Sequence, residues 1–170
     1  MPRGRNFSEP LIKICLHDIC QGLKHIAAHK YVHGDIKPDN LLISDAGSRH
    51  KFPRIVIADF GTSHLLAGSE EEIPKEIGTT QFLSPELKRK NHKIIGSFTD
   101  VYCLGLTLFD MCSVDLAREE KNSVFFENDL TKFHISECYS SDLRKCIKQM
   151  IDPDYKKRPS AAEILREDWL

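Results

Sequence analysis

Asp35, Lys37 and Asn40 stand within six positions of one another in the run His33-Gly34-Asp35-Ile36-Lys37-Pro38-Asp39-Asn40, and Asp59-Phe60-Gly61 follows downstream. A carboxylate, an amide and a second carboxylate offer the hard oxygen donors that Mg²⁺ takes. The intervening lysine adds a cation suited to phosphate oxygens. Converged on one metal–phosphate cluster, these side chains suit phosphoryl transfer. Each motif alone is weak, since an Asp-Phe-Gly tripeptide usually marks a turn; their order within one chain carries the reading.

These residues need a scaffold, and hydrophobic spacing indicates one. Leu11, Ile14, Cys15, Ile19, Leu23 and Ile26 recur at helical spacing after Ser8-Glu9-Pro10, which has a capping-type serine and a proline in the first turn. One long amphipathic helix is expected near residues 9 to 29. Leu41-Leu42-Ile43 reads as a short buried strand, Asp45-Ala46-Gly47-Ser48 as a turn and Arg54 to Ala58 as a second strand, the two strands pairing as a hairpin beneath the site. The polar segment from Thr62 to Leu83, with Glu70-Glu71-Glu72, reads as a long mobile loop. Thr99 to Cys112 is the most apolar helical stretch and suits the centre of a helical lobe. Two shorter helices are predicted at Ser140 to Ile151 and Ala161 to Trp169, the second capped by Ser160. The fold class expected is mainly α with a small β-hairpin region.

Composition narrows the function. The chain has 170 residues, 41% of them hydrophobic, which suits one domain with a real core. Its net charge of −1 supplies no basic field for nucleic acid or an acidic membrane surface. Lys88-Arg89-Lys90 and Lys156-Lys157-Arg158 read as solvated clusters. The six cysteines include no Cys-x-x-Cys pair and sit mostly in apolar stretches, where a free thiol behaves as a small hydrophobe. A reduced intracellular setting, cytoplasmic or nuclear, is expected. Val101 to Phe109 is too short to span a membrane, and the first residues lack the apolar core of a signal peptide.

From about Leu11 onward the ordered motifs resemble the C-terminal lobe of the eukaryotic protein kinase family, and the resemblance assigns roles residue by residue. It makes Asp35 the base for an acceptor hydroxyl, Lys37 the cation on the transferred phosphate, and Asn40 and Asp59 the Mg²⁺ ligands. Leu42 would underlie the adenine of ATP, and Thr79 would lie near the substrate hydroxyl. Gly78-Thr79-Thr80-Gln81-Phe82-Leu83-Ser84-Pro85-Glu86 is similar to the end of an activation segment, with Glu86 paired to Arg158. Asp100 would receive backbone N–H groups near His33 and Gly34, while His33, Phe60 and Gly61 support the site. Asp100 taken alone reads as a helix N-terminal carboxylate, and Arg158 as a solvated charge. Lys37 within Asp-Ile-Lys-Pro-Asp-Asn resembles the serine/threonine-specific loop, so protein serine or threonine hydroxyls are the implied substrates.

Two departures stand out. Gly34 replaces the arginine that in many relatives clamps a phosphorylated activation loop, which removes the main partner for that control. Phe82 replaces a commoner tyrosine. Nothing before the loop reads as a glycine-rich phosphate cover or as a strand lysine paired to a helix glutamate. Residues 1–170 are therefore expected to be a partial catalytic domain with the N-terminal lobe absent, inactive alone, with an apolar face left for that lobe or another partner. The alternative is a pseudokinase-like module that binds a regulator, substrate or intact kinase without catalysis.

Overall fold

Seven apolar residues at helical spacing drive the first helix, α1 (Glu9–Ala28), into the interior: Ile12, Cys15, Leu16, Ile19, Cys20, Leu23 and Ile26 are all buried. The computed structural model describes residues 7–44, 54–113, 116–127 and 129–170. Against α1 packs α2 (Ser97–Cys112), twelve of whose sixteen residues are buried, as expected of a helix apolar on every side. Gly105 lets the next layer approach α2: a β-carbon there would lie 2.7 Å from Ile151 Cγ2 and 2.8 Å from Met150 Cβ. These two atoms belong to the end of α4 (Ser141–Met150) and the residue after it. Between α2 and α4 comes α3 (Arg118–Glu127), and α5 (Ala161–Ile164) closes the core against α1.

Three two-stranded antiparallel pairs flank the helices. β1 (Tyr31–Val32) pairs with β4 (His64–Leu65), β2 (Leu41–Ser44) with β3 (Arg54–Ile57), and β5 (Glu70–Ile73) with β6 (Lys93–Gly96). In the middle pair Leu41 faces Ile57 and Leu42 faces Val56. The Asp18 carboxylate accepts the Ile55 N–H at 3.0 Å and fastens this hairpin to α1.

Several expectations change. The β2–β3 hairpin forms, but β2 is not buried: Leu42 is 52% and Ile43 72% exposed. The stretch from Thr62 to Leu83 is not a continuous loop, since β4 and β5 give it two strand pairings and it contributes Leu66, Ile73 and Leu83 to a second apolar cluster with Val32, Leu87 and Ile95. The last helix stops at Ile164 rather than Trp169. Ser8 caps α1 only through its backbone position. The serine side chains that do cap are Ser140 and Ser160, the latter in a reciprocal box with Glu163. The turn at Asp45 to Ser48 lies outside the described residues. Five cysteines are buried and free, and Cys138 is exposed.

Candidate active site

The site begins with a left-handed turn at Gly34, a conformation glycine adopts freely, held in place by the start of α2. Gly34 has φ +79°, and its N–H and that of His33 donate to the two carboxylate oxygens of Asp100, each at 2.8 Å, from the first turn of α2. Burial raises the Asp100 carboxyl to about 6, the two N–H bonds pulling the other way. His33 is fully buried. Its Nδ1 faces the Asp35 N–H at 3.3 Å, and its Nε2 donates to the Ala58 carbonyl at 2.9 Å. One ring thus ties the loop to the residue before Asp59. The Thr62 hydroxyl adds a bond to the His33 carbonyl at 3.0 Å.

This frame aims Asp35 into a closed polar ring. Its Oδ2 accepts Lys37 Nζ at 2.8 Å and Asn40 Nδ2 at 3.2 Å, while Oδ1 accepts the Thr79 N–H at 2.8 Å. Lys37 Nζ also donates to Thr79 Oγ1 at 2.6 Å. Burial raises the Asp35 carboxyl, but the hydrogen bonds from Lys37 and Thr79 and the Lys37 charge outweigh it and hold the group below its usual range. Gly78 makes the approach of Thr79 possible: at φ +100° its β-carbon would fall 2.2 Å from the Gly34 carbonyl oxygen. Gly78 and the Ala58 carbonyl are positioning groups that the motif reading passed over; the glycine beside Thr79 was the available signal.

Asp59 takes a left-handed backbone, φ 60°, with Oδ1 accepting the Gly61 N–H at 3.1 Å. No hydrogen bond joins it to Asp35 or Asn40 among the described residues; the link is the Ala58 N–H donated to the Asn40 carbonyl at 2.9 Å. Phe60 meets the His33 ring edge-on at 5.0 Å yet remains 53% exposed. It ends a groove of about 310 Å³ that runs between α1 and β3. Leu42 lies on the open face of the hairpin.

Glu86 and Arg158 lie apart from this ring and join each other. Arg158 Nη1 and Nη2 donate to the two Glu86 oxygens at 2.8 Å each, with both side chains fully buried. The guanidinium also donates to the carbonyls of Asp152 and Phe98, so four of its five N–H groups are engaged, and it stacks 4.6 Å over Tyr102. Arg158 is therefore no solvated charge. Nor is Lys88, which donates to the Phe125 carbonyl at 2.6 Å and whose ammonium is pulled down to about 8 by burial. Phe82 packs edge-on against Phe125.

The donor set suits Mg²⁺. Asn40 gives its amide hydrogens to Asp35, which leaves its oxygen as a hard donor, and Asp59 adds carboxylate oxygens. No three His, Cys, Asp or Glu side chains gather closely enough to hold a metal by themselves among the described residues. An ion carried partly by phosphate oxygens fits such a sparse protein set.

Comparison with known proteins agrees with this architecture. A family model described as protein kinase domain matches residues 2–170. Mitogen-activated protein kinase kinase kinase 15 of Mus musculus is 33% identical over 167 residues, 95% of this chain and 12% of that protein. Serine/threonine-protein kinase Nek5 of Homo sapiens is 33% identical over 171 residues, 99% of this chain and 23% of that one. Myosin-IIIa of Mus musculus is 26% identical over 178 residues, all of this chain and 11% of that one. The chain thus spans about a tenth to a quarter of the length of these relatives. With the family model matched along nearly its whole length, this chain belongs to the eukaryotic protein kinase family.

Proposed function

We propose that residues 1–170 are the helical C-terminal lobe of a serine/threonine protein kinase, transferring the ATP γ-phosphoryl group to protein hydroxyls when the other lobe is present. The ring of Asp35, Lys37, Asn40 and Thr79 carries this reading. Asp35 orients the acceptor hydroxyl and takes its proton. Because its carboxyl is held below the ordinary range, it is a weak base in the resting site, and its contribution is mainly position. Lys37, within reach of both Asp35 and Thr79, neutralises charge on the phosphoryl oxygens, and the Thr79 segment sets the acceptor beside it. Asn40 and Asp59 would hold Mg²⁺, which supplies charge neutralisation on the nucleotide phosphates. Leu42, on the open face of the hairpin, would meet the adenine. The buried free thiols suit a reduced intracellular setting.

A second reading has its own observation. Leu42 and Val56, cross-strand partners on one face of the hairpin, and Phe60 are exposed apolar side chains, which suits a binding module as well as a lobe awaiting its companion. Phosphorylation of a peptide, measured for the polypeptide that includes any upstream in-frame sequence, separates the two. Asp35→Asn and Asp59→Asn should each lower turnover there by about 10²-fold or more with the fold retained. Near-normal turnover in Asp35→Asn would overturn the enzyme reading. The 170-residue chain alone should bind Mg·ATP weakly and turn over negligibly.

A further inference from the structure

Helix α4 divides its residues sharply between two faces. Leu143, Cys146, Ile147 and Met150 are buried, whereas Ser141, Arg144, Lys145 and Lys148 follow one another at i, i+3, i+4 and i+7 along another face. That stripe, with Phe133, His134 and Ile135 from the preceding segment, lines a groove of about 400 Å³. Its floor is fixed, since Ile135 is buried and Phe133 stacks on Phe109 at 5.1 Å. None of these residues belongs to the site around Asp35.

The cations of this groove contribute little to the fold. The lysine and arginine ion pairs among the described residues are made by Lys13, Lys37, Lys121, Lys157 and Arg158, so Arg144, Lys145 and Lys148 have no carboxylate partner there. Arg144 and Lys148 are like charges one turn apart. Arg144 also stands near the positive end of the helix dipole, where a cation is disfavoured. Its Nε is shut off from solvent and has no hydrogen-bond partner, an uncommon condition for a guanidinium N–H.

We propose that this groove docks a carboxylate-rich segment of a partner protein, one apolar side chain resting on Phe133 and Ile135 while carboxylates meet Arg144, Lys145 and Lys148. The recessed apolar floor favours a side chain over a phosphate backbone. The chain's net charge of −1 also supplies no broad basic field for nucleic acid. Ile135 is too deeply buried to enter a lipid surface.

The test is anisotropy of a labelled peptide with Leu and Phe flanked by Asp and Glu, titrated with the full chain at low salt. Saturable binding should weaken about tenfold in the Lys145→Glu, Lys148→Glu double variant, and similarly when the peptide acids become amides. Both lysines are exposed, so the double variant should melt as the parent does; Arg144→Gln provides a second variant that keeps the buried stem. Equal binding by the double variant, or by the amide peptide, overturns the proposal. So does tighter binding of polyuridine RNA or of phosphatidylserine vesicles than of the peptide, if the same lysine substitutions remove it.

Discussion

Asp100 receives two backbone N–H groups with water excluded around it, so its charge is both needed and costly. Asparagine has one acceptor oxygen and would turn an amide N–H toward one of those donors. Asp100→Asn should therefore cost about 1–3 kcal/mol at pH 7, measured by denaturant unfolding. The pH dependence follows from the raised carboxyl. Between about pH 4 and 6 the folded state holds a proton that the unfolded chain has released, so this group lowers stability as pH rises through that window and is level above it. The asparagine variant should lack that slope. The Glu86–Arg158 pair gives a sharper test. Removing either partner strands a buried charge, and Glu86→Ala or Arg158→Ala should each cost about 3–5 kcal/mol. Their double-mutant coupling should exceed the roughly 0–1 kcal/mol of surface pairs. Additive effects would refute the pair as a unit.

Close approaches between elements depend on glycine at several points, Gly105 and Gly78 among them. Gly105→Ala gains helix propensity in α2 of up to about 1 kcal/mol. The new methyl meets Met150 and Ile151 below 3 Å, and overpacking of that kind costs about 1–3 kcal/mol, so net destabilisation is expected in thermal unfolding. Gly78→Ala forces the Thr79 segment off the Gly34 carbonyl; under the proposed function, the longer polypeptide that carries the other lobe should lose peptide phosphorylation more than it loses thermal stability. The same contrast marks what the sequence discloses. The apolar spacing of α1 and the continuous apolar run of α2 are strong local signals, and the hairpin of β2 and β3 was readable from β-branched residues. Helix α3 was not, because only Val124 and Phe125 are buried and no periodic stripe forms. The pairings of β4 and β5 were hidden because their partners, β1 and β6, are remote in sequence. Within the site, the residue types of Asp35, Lys37 and Asn40 were legible. The backbone groups that orient them, the Ala58 carbonyl and the Thr79 N–H, carry no side-chain signature.

The molecule as a whole keeps five thiols in its interior. Burial raises Cys15 to about 11 and Cys112 and Cys146 to about 12, with Cys20 and Cys103 raised as well. Above pH 9 the unfolded chain releases these protons while the folded chain retains them. Each thiol then removes about 1.4 kcal/mol of stability per pH unit until its own folded value is reached. Lys88 works in the opposite sense, its unfolded form holding a proton between about pH 8 and 10.5 that the folded form has lost, but it is one group against five. Melting temperature should fall steeply from pH 9 to 11, and less steeply in Cys20→Ala measured against its own neutral-pH value. On one face of the hairpin Leu42 and Val56 are exposed, and with the exposed Phe60 they should make the isolated chain bind a dye that reports apolar surface. A dye-silent, monodisperse monomer would show that this face is sealed.

Glu9 accepts the Ser140 N–H and hydroxyl at 2.7 and 2.6 Å, and Lys13 donates to the Trp169 carbonyl at 2.7 Å. On a ribosome these partners are born far apart in time. At roughly 5–20 residues per second, Ser140 is added on the order of 10 s after Glu9. β3 and α2, which pack along α1, are complete by residue 112 and can roof most of its apolar stripe, so the last contacts to form on the nascent chain are those that fasten the start of α1, made only once Ser140 and Trp169 have emerged.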